Sequence, residues 1–66
     1  MKNYDGSADT IGFGKWLRQL SLGDRFTVTN IPYELGEIPF VAIMHGIVLT
    51  DNKDSSFTVG KQYGKN

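Results

Sequence analysis

The chain has 66 residues, no cysteine, one histidine, and seven acidic residues balanced by seven basic ones, for a formal net charge of zero. That length supports a single domain that buries only about 60% of its unfolded surface. With disulfide staples and a Cys/His zinc site excluded, a well-packed core or oligomerisation is left to stabilise it.

Residues 1–9 are polar, small and glycine-bearing, and they read as a flexible N-terminal arm. No apolar signal segment is found there. Together with the absence of cysteine this points to the cytoplasm, with no membrane partner. Residues 10–63 form the expected domain, and residues 64–66 a frayed tail.

Phe13, Trp16, Leu17 and Leu20 fall at i, i+3, i+4 and i+7, one face of a short helix. Asp9 or Thr10 is placed to cap its start and Gly23 to end it. Gly12 and Gly14 each cost about 1 kcal/mol relative to alanine inside a helix, so the first turn is weakly specified. Gly12-Phe13-Gly14 is not a dinucleotide fingerprint, because Leu17 stands where the third glycine belongs and no strand is expected before it.

Residues 25–29 alternate, Phe26 and Val28 inward against Arg25, Thr27 and Thr29 outward, as a half-buried strand does. Residues 30–37 form a loop punctuated by Pro32 and Gly36. In residues 38–49 only His45 is strongly polar. The β-branched and aromatic content, with Pro39 and Gly46, argues for one long strand or two meeting near His45-Gly46. The run is too short to span a bilayer, which takes about 20 apolar residues. A turn at 51–56 leads to a last strand at 57–59, extended towards Lys61 and Tyr63. The core expected from this pattern is Phe13, Trp16, Leu17, Leu20, Phe26, Val28, Val41, Ile43, Ile47, Leu49 and Val59, with Phe40 alongside Trp16.

The fold class is therefore α+β: one short N-terminal helix packed on a small antiparallel sheet of three or four strands. The helix followed by Gly23-Asp24-Arg25-Phe26, and the later Gly46-Ile47-Val48-Leu49-Thr50-Asp51-Asn52, resembles in layout the SH3-like and Sm-like small barrels. That resemblance covers residues 11–60, lacks a fifth strand, and implies a sheet curled into an SH3-like barrel.

His45 has no positioned partner for catalysis, and Glu34 and Glu37 read as solvated loop charges, so no enzyme activity, metal or cofactor is expected. The leading expectation is a protein-binding regulator or inhibitor, in the style of those encoded by phages and mobile elements. Its partner would be another protein, with a homodimer or higher oligomer also expected. Ile31, Tyr33, Glu34, Leu35 and Glu37 would carry the binding, as apolar anchors on a surface loop with an acidic rim. The alternative is a nucleic-acid-binding small barrel, although zero net charge does not favour one. It would use Arg25, Lys53, Phe57, Lys61 and Tyr63, cations interleaved with rings that stack on bases. Residues 55–64 resemble part of the filamentous-phage single-strand DNA-binding proteins.

Overall fold

The computed structural model describes residues 1–8 and 11–62. In chain order its elements are β1 (Lys2–Asp5), α1 (Phe13–Arg18), β2 (Arg25–Thr29), a single 3₁₀ turn (Leu35–Glu37), α2 (Ile38–Met44), β3 (Ile47–Asp51) and β4 (Phe57–Gln62). The four strands make one sheet in the order β1-β2-β4-β3. The sheet is mixed rather than antiparallel: β1 runs parallel to β2, and β4 runs antiparallel to both β2 and β3. The two outer strands, β1 and β3, do not meet, so the sheet stays open and the expected barrel does not close.

The parallel pair arises from the segment expected to be a free arm. Residues 2–5 join the sheet because Tyr4 supplies the burial that offsets the cost of ordering them. Its ring centroid lies 4.8 Å from that of Phe13 and 5.2 Å from that of Trp16. A parallel neighbour requires a crossover, and α1 provides it. The pairing is sealed at Gly6, whose N–H donates to the Thr29 carbonyl at 2.9 Å. A Cβ at Gly6 would lie 2.1 Å from the Asn30 carbonyl oxygen, so only glycine fits. Asp9 and Thr10, the expected helix caps, lie outside the described residues.

The second departure is at residues 38–49, where the expected strand is a helix, a turn and a strand. Pro39 occupies the first turn of α2, where a missing N–H costs nothing. Gly46 adopts φ +79 and donates its N–H to the Ile43 carbonyl at 2.9 Å, a left-handed helix stop. The two residues that argued against a helix are the ones that delimit it. Ile38 and Ala42, four apart, are fully buried and fix α2 to the core.

A single core gathers Tyr4, Phe13, Leu17, Leu20, Phe26, Ile38, Ala42, Ile47, Phe57 and Val59, with Trp16, Val28, Ile31, Val41 and Leu49 partly buried against it. Phe26 sits at its centre, 5.4 Å from Trp16 edge-on and 5.7 Å from Phe57 between centroids. Phe40 and Ile43, expected inside, are exposed, because the helical period turns them away from Ile38 and Ala42. The sheet's other face is polar. There the Thr27 hydroxyl donates to Asn3 Oδ1 at 2.7 Å, and Asn52 Nδ2 donates to Thr58 Oγ1 at 2.9 Å.

Candidate protein-docking surface

Helix α2 reads Ile-Pro-Phe-Val-Ala-Ile-Met and carries no polar side chain. A helix that is apolar all round is normally covered all round. Here only one side is covered. Phe40 is 71% exposed, Ile43 59% and Met44 83%, and their spacing of i, i+3, i+4 places them on one stripe. The segment leading into α2 extends the stripe with Tyr33, 39% exposed, and Leu35, 43% exposed. These five fractions amount to nearly three fully free large side chains. At roughly 200 Å² each that is at most about 600 Å², most of it apolar. It stands at the top of the range of about 300–600 Å² for the largest patch on a typical monomer.

Local chemistry holds the stripe in place. The Glu37 carboxylate accepts a hydrogen bond from the Glu34 N–H at 2.8 Å, and the Glu37 N–H donates to the Glu34 carbonyl at 2.9 Å. These bonds close the 3₁₀ turn and feed the chain directly into α2. Tyr33 leans on the core, its ring centroid 6.3 Å from that of Phe13. At the far end of α2 the imidazole of His45 lies on Gly14 of α1, where an added Cβ would come within 2.3–2.6 Å of its ring atoms. The stripe therefore runs from Glu34 and Glu37, ahead of α2, to His45 at its close.

Of the residues expected to bind a protein, the structure gathers Tyr33, Glu34, Leu35 and Glu37 at the head of this stripe. Ile31 is turned inward and packs against the core. Phe40, Ile43 and Met44 were missed. The signal that would have found them is the i, i+3, i+4 spacing framed by Pro39 and Gly46.

Among the described residues, those of the nucleic-acid alternative divide between the two ends of the β3–β4 hairpin. Phe57 is buried against Phe26, so its face is not offered to a base. The Arg25 guanidinium donates to Asp54 at 2.7 Å and to the Ser56 hydroxyl at 3.2 Å. Lys53 lies in the β3–β4 turn and Lys61 opposite Val48, towards the other end of that hairpin. Tyr63 lies outside the described residues.

The remaining polar chemistry ties loops together. The Ser56 hydroxyl and N–H, then Arg25, hold the Asp54 carboxyl below its ordinary value. The Ser21 N–H and then Lys2 do the same for Asp24, and Asn30 and then Ser7 for Asp5. A shallow open depression of about 380 Å³, lined by Lys2, Asn3, Trp16, Gln19 and Leu20, shares no residue with the stripe. Its one charged group, Lys2, is held by Asp24 at 3.0 Å. Among the described residues, no three His, Asp or Glu side chains are grouped to hold a metal ion, and no helix is long and apolar enough to cross a membrane. Comparison with known protein families, with curated protein sequences and with solved structures found no match.

Proposed function

We propose that this chain is a small, non-enzymatic protein-binding regulator or inhibitor, acting in the cytoplasm by laying the apolar face of residues 33–44 on another protein. One observation carries the reading. Phe40, Ile43 and Met44 stand exposed on a helix whose opposite side already fills the core. Three large apolar side chains turned to water do nothing for a fold this small, and an apolar centre with a polar rim is how a compact interface gains affinity. Glu34, Glu37 and His45 supply that rim. The nucleic-acid reading has no comparable support, since its ring Phe57 is buried and its cation Arg25 is paired.

The test uses the wild-type chain and Phe40→Ser as baits in a nuclease-treated lysate. Because Phe40 is exposed, the variant keeps its fold, with a stability change within about 0.5 kcal/mol. The reading predicts a protein retained by the wild type and lost by the variant. Equal capture by both, or material released by the nuclease, would overturn it.

A further inference from the structure

Building on that docking reading, we infer that the occupant of the face is a second copy of this chain, paired about a two-fold axis with the two α2 helices antiparallel.

The first argument is area. Two faces of about 600 Å² bury about 1,200 Å² in total, the lower limit of a specific, stable interface. The patch is thus of the size that a dimer needs.

The second argument is charge. A two-fold interface is self-complementary, so whatever lies at one end of the stripe meets what lies at the other end of its copy. With the helices antiparallel, Glu34 and Glu37 of one chain lie towards the His45 end of the second, and this occurs twice. A parallel arrangement would set Glu34 and Glu37 against their own copies. Zero net charge adds no long-range repulsion between copies.

The third argument is the register of the stripe. Phe40 and Ile43 lie near its middle, with Tyr33 and Leu35 towards one end and Met44 towards the other. Antiparallel pairing about the middle of α2 places Phe40 of one chain against Ile43 of the second and Met44 against Pro39, with the Tyr33–Leu35 end reaching past His45 of the second chain. Phe40, Ile43 and Met44 of each chain thus all gain a partner. A different protein binding here would have to displace the second copy, so self-association and regulation compete for one face.

Sedimentation equilibrium of the full chain from micromolar to millimolar concentration tests the inference. The wild type is expected to rise from 7.4 kDa towards twice that mass. Ile43→Asp is expected to raise the dimer dissociation constant at least about tenfold. Phe40→Ser, at a side chain that is 71% exposed, is expected to raise it as well. If Ile43→Asp fails to fold, judged by circular dichroism, Phe40→Ser decides the matter alone.

A monomer mass at every concentration overturns the inference, as does a dimer indifferent to Ile43→Asp and to Phe40→Ser. Should the wild type be monomeric while lysate capture still requires Phe40, the second copy is ruled out and the docking reading stands. Should capture also ignore Phe40, both fall.

Discussion

Gly14 and His45 constrain one another. The glycine is unfavourable within a helix by about 1 kcal/mol relative to alanine, yet any Cβ there would enter the imidazole. Alanine at position 14 should therefore stabilise the protein only when the ring is gone. In a double-mutant cycle read by denaturant unfolding, Gly14→Ala is expected to add about 1 kcal/mol in a His45→Ala background and to lose that gain in the wild type. An equal gain in both backgrounds would mean that the ring does not rest there. From the sequence, Gly14 read as a loose helix entry and His45 as a lone histidine in a strand. Nothing local links residues 31 positions apart, and only the docking of α2 on α1 brings them together.

At the scale of elements, the sequence was legible where one rule acted alone. Phe13 and Leu17 fall on the buried face of α1 as their spacing required, Leu20 is buried in the turn that follows it, and Phe26 and Val28 face the core from β2. It was misleading where two rules competed. In residues 38–49 the β-branched content favoured a strand, while Pro39 and Gly46 carried start and stop information for a helix. Tertiary docking of Ile38 and Ala42 decided in favour of the helix. Of the candidate site, Tyr33, Leu35 and the two glutamates were readable because they lie on a loop. The larger part, on α2, was hidden by the strand assignment.

Strand β1 was illegible for another reason: four residues with one aromatic carry no period. Its place in the fold makes a firm prediction. Tyr4→Ala should cost about 3–5 kcal/mol, as the loss of a buried aromatic does, and so remove most of the stability of a domain this small. Thermal unfolding measures it. A melting temperature within a few degrees of wild type would return residues 1–6 to a free arm.

At the scale of the whole molecule, stability should fall in acid. Asp5, Asp24 and Asp54 are each held below the ordinary carboxylate value of 3.8 by hydrogen bonds present only in the folded chain. The unfolded chain therefore binds more protons in this range. The stabilisation is complete at pH well above 3.8 and is lost as pH falls through the lower, folded values. Melting temperatures across this range should show the decline, and Asp54→Asn should flatten it while lowering stability near neutrality. An acid limb unchanged by Asp54→Asn would show that the Ser56 and Arg25 contacts do not matter to folding.

The same whole-molecule view sets the two sides of the protein apart. Asn3, Thr27 and Thr58 hydrogen-bond across a polar sheet face. The helical side ends in the apolar stripe from Tyr33 to Met44. The most direct test of that contrast is nuclear magnetic resonance of the wild-type chain, following chemical shifts as concentration rises from micromolar to millimolar. The account predicts shift changes confined to Tyr33, Leu35, Phe40, Ile43, Met44 and the rim residues Glu34, Glu37 and His45. Shifts that do not move with concentration would contradict pairing through the stripe, and shifts that move at Asn3, Thr27 and Thr58 instead would contradict the contrast itself.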